Sequence, residues 1–161
     1  MPTPLAQRIA KFRRHWKSYV VQSLMAFATL FLVLILLGEN RLANVASLGA
    51  SAFIVFAMPT EITGRTRNLV GGQFVGLIVG ALIGLAPIEN YAMNVVLAAM
   101  AVGLTMFIMV VIDMEHPPAC GTALGMAVYG WEWGAIATIA VAVVLLAAIH
   151  HFFKPYLRDL V

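Results

Sequence analysis

Hydrophobic positions in this chain come in unbroken stretches, without the alternation of a half-buried strand or the one-sided period of a soluble helix. No Asp, Glu, Lys or Arg occurs within 18–38, 69–88, 90–112 or 133–153. A helix needs about 20 apolar residues to cross a hydrocarbon core of about 30 Å, so each stretch predicts a membrane-crossing helix. Two shorter uncharged segments, 42–58 and 117–130, lie between them. At about 1.5 Å per residue the second covers only about 21 Å, the length of a half-helix or a re-entrant piece. The distribution of Lys and Arg favours full crossing by both. With six crossings and the N-terminus inside, all the Lys and Arg except Arg41 fall in 1–17, 60–68 and 154–161, as the positive-inside rule asks. With four crossings, Arg65 and Arg67 would join Arg41 outside, a poorer split. The prediction is a single domain over 18–153 of six transmembrane segments, two of them short or broken, with a cytoplasmic tail at 154–161. It places the chain as a multi-pass protein of the cell's inner (cytoplasmic) membrane, both termini cytoplasmic.

Residues 1–17 have a different pattern. Leu5, Ile9, Phe12 and Trp16 recur at helical spacing opposite Arg8, Lys11, Arg13, Arg14 and Lys17, which predicts an amphipathic N-terminal helix lying in the interface. The apolar run that follows is too long for the core of a signal peptide, and no small-residue cleavage site comes after it. Composition agrees with a membrane protein: 62% hydrophobic and 11% charged, against about a quarter charged in soluble domains. The net charge of +3 comes from the basic start and is no sign of nucleic-acid binding. One cysteine, Cys120, excludes an internal disulfide. Trp131 and Trp133 around Glu132 read as an aromatic belt at the outer face, and His150 with His151 as headgroup-level residues.

Taken in threes, the stretches resemble one another. Segments 18–38, 42–58 and 69–87 match 92–112, 117–130 and 134–153 in the order long, short, long, and Gly49 in the first short piece aligns with Gly121 in the second. Three crossings per unit force opposite orientations, a 3+3 inverted repeat with halves of about 18–87 and 92–153. In such folds the paired short segments flag the substrate path. Gly72, Gly76, Gly80 and Gly84 form one stripe on the third crossing, suited to close backbone packing within the chain or between copies. A homo-oligomer, dimer or trimer, is expected through that stripe.

The segment D113-M-E-H-P-P-A-C-G-T-A-L124 concentrates the candidate chemistry. Pro117 drives His116 out of the helical region and suits the first position of a new helix. The first amides of that helix, from Ala119 and Cys120 onward, offer donors to a small anion past the small side chains of Ala119, Gly121 and Ala123. Pro117, Pro118, Cys120, Gly121 and Thr122 would line this path, with Ser47, Gly49 and Ser51 as counterparts in the first half. Asp113 and Glu115 could instead cap the same helix end. They could also join His116 in a proton site or handle a cation, which is the alternative reading. A nucleophilic Cys120 with His116 lacks an orienting third group, so no enzyme, metal or cofactor is expected.

H116-P-P-A119 with T122-A-L124, together with G49-A-S-A-F-I-V-F-A-M-P59 and R67-N-L-V-G-G72, resembles the HPP family of integral membrane proteins over about 18–153. Thr66 stands where that family is expected to carry proline, and the family is usually described with four crossings. The resemblance implies a transporter or channel for a small monovalent inorganic anion, nitrite first. Because an ordinary histidine titrates at about 6.5, His116 would be a protonatable gate or co-transport site for such an anion. Arg67 and Asn68 would attract the anion at the mouth, or Arg67 would be an ordinary positive-inside anchor.

Overall fold

A computed structural model describes residues 4–37, 42–87, 90–130 and 133–161, which are helical between short connections, with no strand among them. Helix α1 spans Pro4–Leu37 and bends at His15, whose backbone leaves helical geometry (φ −124°, ψ 21°). The amphipathic stretch and the first long crossing are therefore one helix with a kink. Leu5, Ile9, Phe12 and Trp16 are all exposed on its first part, as an interfacial helix requires.

Helix α2 covers Leu42–Ala57 and ends before Pro59, which has no N–H to continue it. A short 3-10 turn at Ile62–Gly64 leads into α3, Thr66–Ile83. Helix α4, Tyr91–Val111, starts where the Asn90 side chain accepts the Met93 N–H at 2.9 Å. Helix α5 is only Pro118–Tyr129 and stops at Gly130, whose φ of 78° suits glycine. Helix α6, Trp133–Phe153, ends in a second 3-10 turn at Lys154–Tyr156. By length and composition α1, α3, α4 and α6 can each cross a membrane, and α2 is a shorter apolar helix. Arg41, Trp131 and Glu132, expected on the outer side, lie outside the described residues, as do 1–3 of the basic start. Trp133 is largely exposed.

Helix α5 is the hub, packed against α2, α3 and α4. Helix α2 also meets α1 and α6, α3 meets α4 and α6, and α1 meets α6. Helices α1 and α4 turn Leu24, Phe27, Phe31, Met100, Leu104 and Phe107 outward, an apolar exterior that fits lipid.

The glycine stripe of α3 faces α5 of the same chain. A Cβ on Gly72 would come within 2.6 Å of the His116 Cβ, one on Gly80 within 2.5 Å of the Ala123 carbonyl oxygen and one on Gly84 within 2.6 Å of the Met126 carbonyl oxygen, while one on Gly76 would strike the Ala119 carbonyl. The stripe expected to join copies of the chain is thus already filled, which corrects the site assigned to an oligomer contact. The approach of two backbones offsets the roughly 1 kcal/mol that each helical glycine costs in propensity.

The α2–α3 connection and the C-terminal tail meet at one end. Thr60 bonds to Asp159 through its N–H (3.2 Å) and its hydroxyl, and the Leu160 N–H reaches the Ala57 carbonyl at 2.9 Å. Gln22 of α1 donates to the carbonyls of Phe56 and Arg158. Residue 60 and residue 159 therefore share an end of the bundle, next to the α4–α5 corner. His150 belongs there too: it is fully buried, with Nδ1 3.4 Å from the Thr66 hydroxyl and Nε2 3.4 Å from the Pro59 carbonyl, while its neighbour His151 is exposed. The α2–α3 connection folds over the end of α6 and covers this ring with protein.

Candidate functional site: a buried polar chain between the short helices

Among the described residues no Asp, Glu, Lys or Arg is buried; the buried polar set is made of hydroxyls, amides and two histidines. Five of these groups join where α2 and α5 cross. Pro117 and Pro118 break the chain after α4, and the break turns the His116 ring inward to complete burial. Helix α2 places Ser47 and Ser51 one turn apart on the face toward α5. Helix α3 adds Gln73, and α5 adds Thr122.

The acceptor at one end fixes the proton order of these hydrogen bonds. The Thr63 carbonyl, 2.8 Å from His116 Nδ1, only accepts, so Nδ1 carries the hydrogen. In the neutral ring Nε2 then accepts from the Ser51 hydroxyl at 2.8 Å. The Gln73 amide donates to Ser51 Oγ at 3.0 Å, and the Thr122 hydroxyl donates to Gln73 Oε1 at 2.6 Å. The Ser47 hydroxyl is left to donate to Thr122 Oγ1 at 2.8 Å. A continuous file of hydrogen bonds thus runs from Ser47 to Thr63. Ser51 has a second acceptor within reach, the Ser47 backbone carbonyl at 3.0 Å.

His116 sits in the corner outside both helices. Burial pushes its imidazole below the usual range, and the Thr63 carbonyl pulls weakly the other way. The corner itself is clamped by α3: the Asn68 amide, buried, donates to the Glu115 carbonyl at 3.2 Å, while exposed Arg67 reaches Asp113 and the Ile112 carbonyl at 3.3 and 3.4 Å. Asp113 adopts a left-handed backbone (φ 56°) that helps turn the chain.

The structure brings Ser47, Ser51, His116 and Thr122 together and leaves other expected residues outside. The foreseen open amides of α5 are taken, since the Ala119 N–H bonds to the His116 carbonyl (2.9 Å) and the Cys120 N–H to the Pro117 carbonyl (3.1 Å). Neither acid caps the helix: Asp113 pairs with Arg67, and the first turn of α5 contains no acid. Cys120 is half-buried, and both nitrogens of His116 are engaged elsewhere. Pro117 is exposed and Pro118 buried. Gly121 lets α2 approach, a Cβ there falling 3.2 Å from the Ser47 Cβ, whereas its aligned partner Gly49 has open space beside it. Arg67 and Asn68 hold the corner instead of standing free at a mouth. Gln73 and the Thr63 carbonyl were not foreseen; an amide within a charge-free crossing, next to Gly72, was the available signal. Cavities of about 290, 340 and 450 Å³ open along α1 and the 156–161 tail, away from this chain of bonds.

A profile for the family described as HPP, transmembrane region, matches residues 11–158. The chain belongs to the HPP family. Two transmembrane proteins of Dictyostelium discoideum resemble it, one 36% identical over 80 residues and the other 37% over 78. The matches cover 50% and 48% of the HPP chain but only 28% and 25% of those relatives. No solved structure matches it. Within this HPP chain, Thr66 is the first residue of α3, a position that also suits proline, so the departure at Thr66 is compatible with the turn and puts a hydroxyl beside His150.

Proposed function

We propose that this HPP protein is a membrane transporter or channel for a small monovalent anion, nitrite being the leading candidate, and that its route passes between α2 and α5. The carrying observation is the file of five buried polar side chains ending on His116, joined side chain to side chain where the two short helices cross, with no buried charged side chain among the described residues. Buried hydrogen-bonding groups inside a membrane bundle are costly to place and mark solute or proton routes.

The same reading takes the bundle as six crossings in a 3+3 inverted repeat. Exchanging α1 with α4, α2 with α5 and α3 with α6 turns the packed pair α1–α2 into α4–α5, α2–α6 into α3–α5 and α1–α6 into α3–α4. It leaves α2–α5 and α3–α6 unchanged, so every major helix pair has its counterpart. That is the contact pattern expected of two oppositely oriented halves. The bonds between Thr60 and Asp159 support an even number of crossings from 65 to 158, and so a crossing α5.

Cation handling by Asp113 and Glu115 has less support, since neither acid is buried and Asp113 already pairs with Arg67. The test is flux into proteoliposomes of the full chain, across nitrite, nitrate, chloride and formate, with and without a pH gradient. Uptake of at least one anion above protein-free vesicles is expected. No uptake of any, or uptake of cations alone, overturns the reading.

A further inference from the structure

Resting on that transport reading, we infer that the transported unit is electrically neutral: one monovalent anion crosses with one proton, and His116 carries the proton. The buried route offers an anion no fixed positive charge. None of the described Lys or Arg side chains is buried, and exposed Arg67 is paired with Asp113. An anion entering alone would sit uncompensated among hydroxyls and an amide, which such a medium strongly disfavours. A proton on His116 alone would be equally uncompensated. Present together, the two charges cancel most of each other's burial cost, so binding of one favours binding of the other.

The geometry provides for the second protonation state. When a proton arrives on Nε2, that N–H donates to Ser51 Oγ, and the Ser51 hydroxyl swings its own hydrogen to the Ser47 carbonyl 3.0 Å away. Gln73 continues to donate to Ser51 Oγ, and Nδ1 continues to donate to Thr63. No hydrogen bond is lost in either state. Ser51 is thus a positioning residue, a pivot that lets His116 take up and release a proton at Nε2 with no hydrogen bond lost.

The elements packed around the ring bring no competing charge to it. Helix α2 offers Ser51, and the α2–α3 connection offers the Thr63 carbonyl, with Glu61 and Arg65 exposed farther along it. Helix α3 offers Gly72 at the His116 Cβ, Asn68 bonded to the Glu115 carbonyl and Arg67 bonded to Asp113. The corner itself carries Asp113, exposed, and Glu115, half-buried. None of these charged groups bonds to the imidazole.

The experiment uses the full chain in proteoliposomes with nitrite and nitrate as probes, an internal pH dye, and potentials of either sign set by potassium and valinomycin. An anion moving alone would change its accumulation about 50-fold for about 100 mV. A neutral pair would change it less than twofold, while each unit of pH gradient would shift accumulation about tenfold. The second outcome, with dye acidification on uptake above that of protein-free vesicles, is expected. Ser51→Ala should lower uptake and shift the pH profile of what remains, because the pivot is gone while Gln73 and His116 stay; a lowered rate with an unshifted profile overturns the pivot role. Accumulation that follows the potential, or uptake with no proton movement, overturns the proposal while leaving transport intact. Absence of uptake for every anion sinks the transport reading itself, and this one with it.

Discussion

His116 is held with both ring nitrogens bonded and its surface fully covered, and that has a consequence for stability. Burial lowers its pKa from the usual 6.5 in the folded protein, whereas the unfolded chain retains the usual value. Between the two values the unfolded chain binds the proton that the folded chain rejects. Stability is therefore complete above about pH 6.5 and declines as pH falls through that window, the reverse of a histidine that gains an acidic partner. Thermal unfolding in detergent should show the midpoint dropping from pH 7.5 to pH 5. His116→Gln should flatten that slope, since glutamine bonds without titrating. An unchanged slope in the variant would remove His116 as its source. This residue could be picked out beforehand, because a histidine before two prolines inside an apolar chain has few bland explanations. Its partners could not: Gln73 lies in the middle of a glycine-rich crossing, and Thr63 contributes only backbone.

Helices were legible because a membrane imposes a simple rule, a charge-free run of the right length, and α3, α4 and α6 follow it closely. The short segments also emerged near their observed ends, 42–58 as Leu42–Ala57 and 117–130 as Pro118–Tyr129. Partners were not legible. A stripe of glycines tells which face of a helix will meet another backbone, and nothing about whose backbone it is. Here α5 fills the groove, which fixes the consequences of substitution. A methyl on Gly76 meets the backbone carbonyl of Ala119, which has no flexible end to move aside. Gly76→Ala should destabilise by about 1–3 kcal/mol, the usual range for overpacking, through separation of α3 from α5. Gly103→Ala on the outer face of α4 meets nothing within 4 Å and should be neutral. Denaturation of the two variants side by side in the same detergent checks this. Equal stability would mean that the close α3–α5 contact is not realised in solution.

At the scale of the whole molecule, the proposed six crossings require a helix of 12 residues to serve as one of them. At about 1.5 Å per residue α5 spans about 18 Å, well short of a hydrocarbon core of about 30 Å. Yet it is the central helix, packed against α2, α3 and α4 with only Gly121, Leu124 and Tyr129 of its residues exposed, so lipid meets little of its length. Non-helical backbone is tolerated at membrane depth when protein surrounds it, so the chain around Gly130, half-buried at the far end of α5, need not continue as helix. The hydrogen bonds of Thr60 with Asp159 and of His116 with Thr63 then draw the α2–α3 connection, the α4–α5 corner and the 156–161 tail to one side. Single cysteines placed in a Cys120→Ser background make this measurable. Arg65→Cys and Arg158→Cys should react with an impermeant maleimide from the same side of sealed vesicles, and Tyr91→Cys, 84% exposed at the start of α4, from the opposite side. If 65 and 158 label from opposite sides, α5 does not cross. The two halves would then have different numbers of passes, and the exchange of α2 with α5 that relates their packing would be a coincidence of contacts without a repeat.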